Sequence, residues 1–411
     1  MRYSQKSSPS RSGRKILLVI IFCALAVGSV VVYLALNQSS NDEANDSLNN
    51  TTRQQPNGGQ QDQPSSVRGK YLLTGTIVPA RGVEQYARDA TGEIDYQQPF
   101  SQLHTLSPDS YDAWMTDLEC PITDANLTFR QQVDTLVFNC RPGFIDPITS
   151  YFEIINLANN HSSDQGQQAF VETQEQLVEA GAQIFGHYNP SEKTDTCEVI
   201  ALPVRLELAD GSEQDERLPV AFCAWHYFQR GPAPGELAVI DEYVDVMPVF
   251  AFTHAGAEYV AEAQPAEVAL TRSIIDKGAA FVINNNPHWV QNTEVYKDRL
   301  IVYSTGNFIF DQLDEETNRA ANIDVEVSVD YSDNVQQWLE MSESCLDRND
   351  DCVAQARSAG LSKIDLHYRF DVIASLNGYQ EITQKADRAT QEAIEARMNW
   401  QQTLKELGQT N

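Results

Sequence analysis

Glu119, Asn160, His254 and His288 are the side chains of this sequence best suited to chemistry, because each stands in a polar cluster that follows an apolar, strand-like run. Five such places occur. They are Thr74-Gly75-Thr76 with Arg81 beyond it, the stretch from Asp117 to Pro121, residues 159–164, residues 253–259, and residues 284–291 with 303–308 close behind. Strand ends converge on one edge of a sheet, and α/β domains place their sites there. Taken singly, Glu119 reads as a surface acid, Asn160 and His161 as a helix cap, and His254 or His288 as a hydrogen-bonded core histidine. Together they are one carboxylate, one Asn-His pair and two further histidines in strand order. Imidazole, carboxylate and amide oxygen suit a borderline divalent metal such as Mn, Zn or Fe, and one such ion is the expected cofactor.

The succession LECP, NLANNHSSDQG, THAGAEY, NNPHWVQNTEVY and IVYSTGNFIFDQ resembles the CapA family of capsule or poly-γ-glutamate synthesis proteins, over residues 71–312. That resemblance implies a calcineurin-like metallophosphoesterase fold, a β-sandwich flanked by helices. It also implies a role in surface-polymer synthesis, export or release, with the polymer or its membrane-bound synthesis machinery as partner. Carried over by position, it makes Glu119 a metal-bridging carboxylate, Asn160 and His254 ligands of one metal, and His288 a ligand of the other. His161 becomes a general acid near the leaving group. Arg81 matches the arginine after the opening motif and is expected at an anionic substrate, as are Asn286 and Asn307. The chain departs from the family pattern twice: Gly75-Thr76 stands where Gly-Asp is usual, and Asn286-Pro287-His288 where His-Pro-His is frequent. With a carboxylate and an imidazole gone, one metal or none is expected rather than a two-metal clamp. The competing reading is a non-catalytic polymer-binding or scaffold module with a degraded metal site.

The elements that must position these residues are legible as short apolar runs at 71–74, 154–157, 218–222, 247–252, 281–283 and 300–303. Pro219 and Pro248 weaken two of them as strands. Helical patterns at 165–180 and 266–277 have the length of strand-to-strand crossovers, so the sum is an α/β domain, assigned to residues 69–378. Residues 333–362 are acidic and rich in Ser and Asp, and read as a disulfide-pinned surface excursion. In 379–411, alanines and Trp400 recur at helical spacing, which predicts a terminal helix packed on the domain rather than a coiled-coil seam.

Residues 16–36 carry no charge, and Arg14 and Lys15 precede them. A helix of that length matches a hydrocarbon core of about 30 Å. A cleaved signal peptide is the competing reading, but its apolar core is usually only about 7–15 residues long. The expectation is a cytoplasmic tail at 1–15, an uncleaved transmembrane helix at 16–36, a disordered linker at 37–68 and an extracytoplasmic remainder. All five basic residues before the apolar run fall in the tail, so of 29 in the chain 24 remain, against 58 acids. Such a surface repels phosphate backbones, and nucleic acid is excluded as a partner. Six cysteines lie beyond the membrane run. They allow 15 pairings, and the sequential one is expected because each pair brackets a short stretch: Cys120 with Cys140, Cys197 with Cys223, and Cys345 with Cys352.

Overall fold

The computed structural model describes residues 64–345 and 351–409. The chain runs through β1 (Ser66–Ile77), α1 (Arg81–Tyr86), β2 (Ala113–Leu118), α2 (Phe129–Thr135), α3 (Ile145–Thr149), β3 (Ile154–Asn156), α4 (Gln167–Glu179) and β4 (Gln183–Phe185). It continues with β5 (Cys197–Glu207), β6 (Glu213–Tyr227), β7 (Val249–Ala255), α5 (Pro265–Asp276), β8 (Phe281–Asn285), β9 (Thr293–Tyr296), β10 (Arg299–Val302) and β11 (Asn307–Ile309). It closes with β12 (Arg319–Asp330), α6 (Asp333–Met341), α7 (Asp351–Ala359), β13 (His367–Asn377), β14 (Thr383–Lys385), α8 (Arg388–Met398) and α9 (Trp400–Glu406).

β1 decides the layout because it is long enough to pair twice. Its first half lies antiparallel to β12 and, at Ser66–Arg68, to β5; from Tyr71 onward it lies parallel to β2, and at Thr76 to β11. From it one leaf extends through β2, β3 and β4, all parallel, and through β12, β13 and β14 on the other side. The second leaf continues from β5 through β6, β7, β8, β10 and β9. Side chains alternate between the faces of a strand, and the two cores follow that period. Tyr71, Leu73, Met115, Ile154 and Phe185 share one core with β5 to β8, whereas Leu72, Trp114, Ile155 and Ile184 pack with Phe170 and Leu177 of α4. Rings bridge the leaves: Phe185 stands 5.2 Å from both Phe222 and Phe252, and Phe281 stands 5.6 Å from Phe370. Removing such a ring from water contributes about 1.5–3 kcal/mol. The architecture is a mixed α/β sheet with helices, as expected.

Three boundaries differ from the expectation. Strand pairing begins at Ser66, inside the stretch assigned to the linker, because Val67 is buried between Leu206 and Val329 as its ladder partners. The segment 333–362 is more than a surface excursion, since α6 buries Val335, Trp338 and Leu339. Asp333 and Glu340 lie on the exposed side of that amphipathic helix. The expected single terminal helix is instead β14 followed by two helices. Thr383 pairs with Asn377, and the helix breaks at Asn399, whose φ of 57° an Asn tolerates better than most residues.

The two prolines are accommodated where the ladder asks no N–H of them: β6 meets β7 only from Ala221, and β7 starts one residue after Pro248. The three disulfides pair sequentially, Cys120–Cys140, Cys197–Cys223 and Cys345–Cys352. Among the described residues no helix is long and apolar enough to cross a membrane; the run at 16–36 lies outside them.

Candidate metal centre

The parallel strands of both leaves deliver their carboxyl ends to one place. In the first leaf Thr76 lies beside Asn307 and Asp117, and Asp117 beside Asn156. In the second, His226, His254 and Asn285 lie side by side on β6, β7 and β8.

Asp117 joins the two rows. Its Oδ2 accepts from His254 Nδ1 at 3.0 Å and Thr76 Oγ1 at 3.3 Å, while Oδ1 accepts from Asn159 Nδ2 at 2.9 Å and Asn156 Nδ2 at 3.3 Å. A carboxylate with no solvent exposure survives only when its lone pairs are answered in this way. On the far side of the same imidazole, Nε2 of His254 faces Oε1 of Glu119 at 3.5 Å. Burial pushes the Glu119 carboxyl upward, but the contact with His254 and the charges of His254, His288 and His161 outweigh it and hold the group down at about 2. Burial likewise opposes charging of His254, yet Asp117 and Glu119 together raise it to about 9.

Three expected ligands each have one buried polar atom that makes no hydrogen bond: Oε2 of Glu119, Oδ1 of Asn160 and Nε2 of His254, the last facing Glu119 Oε1 at 3.5 Å. Buried polar atoms are rarely orphaned in folded proteins, and each exception needs an explanation. Two oxygens and one nitrogen are donors of the kind that would suit Mn, Zn or Fe. Among the described residues no three His, Cys, Asp or Glu side chains form a metal-binding group. That agrees with Asp117 and Glu119 lying against opposite nitrogens of His254, so they do not converge on one ion. The Asn160 amide would be the third donor of such a set, and Asp117, bonded to His254 Nδ1, fixes the direction of that ring.

The remaining expected residues divide. His161 stacks on Phe138 at 3.8 Å, and its Nδ1 lies 2.7 Å from Asp164 Oδ2, so Nε2 is the atom left for chemistry. His288 contacts Asn307 Oδ1 through Nδ1 at 2.8 Å and faces Glu258 through Nε2 at 3.6 Å. Asn307 also donates to Gln312 and to the Thr317 carbonyl, which makes it a positioning residue for His288 rather than the expected substrate contact. Arg81 is buried, with its guanidinium on the Asp311 carboxylate and over the Phe138 ring. Its charge is already answered, which removes the basis for the expected anion contact. Asn286 donates to the Gly256 carbonyl at 2.9 Å and keeps Oδ1 unpartnered. Asn286 and His288 both adopt positive φ, 97° and 59°, a strained backbone that the Tyr259 N–H to Pro287 carbonyl bond helps to hold.

A match to the family model described as bacterial capsule synthesis protein PGA_cap covers residues 70–312, more than half of the chain and all five clusters. The chain belongs to the PGA_cap family. Among curated proteins it is 29% identical over 175 residues to the capsule biosynthesis protein CapA of Bacillus anthracis, covering 39% of this chain and 41% of that protein. It is 26% identical to the PGA biosynthesis protein CapA of Bacillus subtilis, covering 39% and 43%. A probable polyglutamine synthesis accessory protein of Mycobacterium tuberculosis is 23% identical, covering 58% and 74%. The chain thus spans about two fifths of the length of the two Bacillus relatives. Among solved structures, the calcineurin-like phosphoesterase YfkN of Bacillus subtilis gives a TM-score of 0.36 at 12% identity, covering 71% of this chain and 99% of that one.

Two residues of this PGA_cap chain went unassigned in the sequence. Asp117 sits two positions before Glu119 at a strand end, the spacing that puts two side chains on one face, and that spacing was the available signal. Asp164, three residues after His161, was signalled only by its distance along the loop. Beside the centre lies a groove of about 650 Å³ lined by Tyr227, Phe228, Arg230, Tyr259, Glu267 and Leu270. Glu267 receives bonds from Asn284 Nδ2 and the Gln264 N–H, but burial dominates and pushes it up to about 8.

Proposed function

We propose that this chain is an extracytoplasmic accessory protein of capsule or poly-γ-glutamate-type surface polymer synthesis, export or release, and that it acts as a metal-dependent hydrolase of calcineurin-like metallophosphoesterase type using one metal. The observation that carries the reading is the coincidence of two independent assignments. The residues that the family resemblance makes ligands of one metal, Glu119, Asn160 and His254, are residues with buried donor atoms that make no hydrogen bond. The second metal is not part of the proposal. Thr76, in place of the usual carboxylate, gives its hydroxyl to Asp117, and His288 faces Glu258.

Bound there, a divalent cation supplies Lewis acidity toward a carbonyl or phosphoryl oxygen and lowers the pKa of water. The protein's own contributions are separate. Asp117 takes the Nδ1 side of His254 and so turns Nε2 toward Glu119, and Asp164 takes the Nδ1 side of His161. The Nε2 of His161 then carries a proton to the departing group. Membrane anchoring through 16–36 completes the proposal, supported by the uncharged run and its basic flank. Three disulfides fit an oxidising compartment.

A second reading, a polymer-binding module without catalysis, is favoured by Thr76 and Asn286 standing where ligands are usual. Incubation of the purified protein with poly-γ-glutamate and with phosphoester substrates, with Mn or Zn added, separates the two. Release of soluble product that His161→Ala abolishes is expected. Product-free incubations with metal-loaded protein support the binding module.

A further inference from the structure

Arg88 and Arg141 reach the same carboxylate oxygen. Nη2 of Arg88 pairs with Oε1 of Glu84, and Nε of Arg141 lies 2.9 Å from that same atom. Among the ion pairs of the described residues neither guanidinium has a second acid. Elsewhere in this acidic chain the sharing runs the other way: Lys70 lies between Asp324 and Glu326, and Arg205 between Asp112 and Glu213. Asp89, next to Arg88, turns to its own loop and accepts from Thr91 and the Glu93 N–H, while Asp311 is taken by Arg81. One positive charge is left over, on side chains only 28% and 21% exposed. A charge withdrawn that far from water is costly unless something answers it.

The two arginines line a cavity of about 180 Å³ together with Arg81, Glu84, Leu127 and Phe129. Sites that enclose a whole small molecule measure roughly 300–1,000 Å³, so this one has room for a single charged arm of a longer chain. Arg88 gives Nη1 to the Gly92 carbonyl and Arg141 gives Nη2 to Asn126 Oδ1. A guanidinium carries five N–H donors, and both keep donors for a ligand. Arg81, one wall of the cavity, lies over the Phe138 ring at 4.2 Å, and Phe138 stacks on His161 at 3.8 Å. The cavity therefore stands one guanidinium and one ring away from the proposed proton donor.

We propose that Arg88 and Arg141 form an oxyanion subsite that holds one carboxylate of a glutamyl polymer beside the reacting unit, with Leu127 and Phe129 against its methylenes. The proposal rests on the surface-polymer reading above and adds how that polymer is held. A surplus of one positive charge matches the single negative charge of a carboxylate, and the planar fork of arginine matches its two oxygens. With 29 basic against 58 acidic side chains the chain as a whole repels a polyanion, and a local basic cavity is what lets one approach.

Fluorescence anisotropy of labelled poly-γ-glutamate oligomers, titrated with the purified full chain at about 0.15 M salt, reads the subsite without using activity. Arg88→Gln and Arg141→Gln are each expected to weaken binding at least about tenfold. Arg388→Gln, the same loss of charge at a side chain 92% exposed on α8, is expected to leave it at the wild-type value. Oligomers with methylated α-carboxyls should bind the wild type as weakly as the two variants bind the acid. Wild-type affinity in both variants, or an equal loss in Arg388→Gln, overturns the subsite and leaves the surface-polymer reading intact. A glycerol-phosphate polymer that binds the wild type more tightly than poly-γ-glutamate overturns the assignment to a carboxylate. A wild type that binds neither polymer and releases product from neither overturns both this inference and the reading beneath it. If the Gln variants do not fold, Arg88→Lys and Arg141→Lys decide, because they keep the charge and the pair with Glu84 but lose the fork: weaker binding supports the subsite and unchanged binding overturns it.

Discussion

The Nδ1 of His254 lies 3.0 Å from Oδ2 of Asp117, and neither side chain has any exposure to solvent. The two residues belong to different leaves, β7 and β2, so this contact fixes how the leaves meet at the site. It also decides which nitrogen of His254 faces Glu119.

Asp117→Asn is the direct test of that role. An amide in the same place offers His254 Nδ1 a donor as readily as an acceptor, and the imidazole loses its fixed direction. Metal affinity is expected to fall roughly 10–100-fold. Chelator competition measures it, and unchanged affinity would show that Asp117 only satisfies its neighbours.

His161 is assigned to proton transfer and not to metal binding. His161→Ala is therefore expected to lower the hydrolytic rate by roughly 10²–10⁴-fold while metal content stays at the wild-type level. Asp164→Asn should weaken the same step through loss of the 2.7 Å contact. Metal analysis alongside rates distinguishes the two roles. A variant that loses its metal places His161 among the ligands.

The carboxyl of Glu267 titrates at about 8 in the fold, raised from the ordinary 4.5 chiefly by burial. Between those values the folded state keeps a proton that the unfolded chain releases. The contribution to stability is fully present below about pH 4.5 and is lost as pH rises toward 8, with a limiting slope of about 1.4 kcal/mol per pH unit. Glu267→Gln removes this arm, and unfolding midpoints from pH 5 to 8 should be flatter in the variant than in wild type. Parallel curves would contradict the assignment.

Cys120 follows Glu119 directly, and its disulfide to Cys140 ties down the stretch that carries the carboxylate. Opening a loop of 20 residues by Cys120→Ala with Cys140→Ala is expected to cost about 3 kcal/mol. The same variant should bind metal more weakly, because Glu119 loses its anchor. Denaturant unfolding and metal titration of the double variant check the pair of effects. Lost stability with unaltered affinity would separate the disulfide from the site.

The leaves and the site were legible in the sequence to different depths. Apolar runs such as 154–157 and 281–283 announced strands, and the polar clusters after them fell at the carboxyl ends of parallel strands, where β3 and β8 now end. Glu119, Asn160 and His254 stand in those clusters. What stayed hidden depends on contacts far apart in the chain. Asp117 acts on a histidine 137 residues away, and Arg81 is claimed by Asp311, 230 residues on. No local pattern announces either partner. Asn307 looked free for a substrate because its partners, His288 and the Thr317 carbonyl, are set by how the loops fold over one another. The break at Asn399 was hidden for another reason, since alanines and Trp400 keep helical spacing on both sides of it.

Elemental analysis of the purified full chain, produced in an oxidising compartment and compared with His254→Ala, tests the central claim most directly. The account predicts about one equivalent of Mn, Zn or Fe in the wild type and its loss in the variant. A wild-type protein that holds no metal even after reconstitution would contradict the metal site and leave the polymer-binding module as the better description.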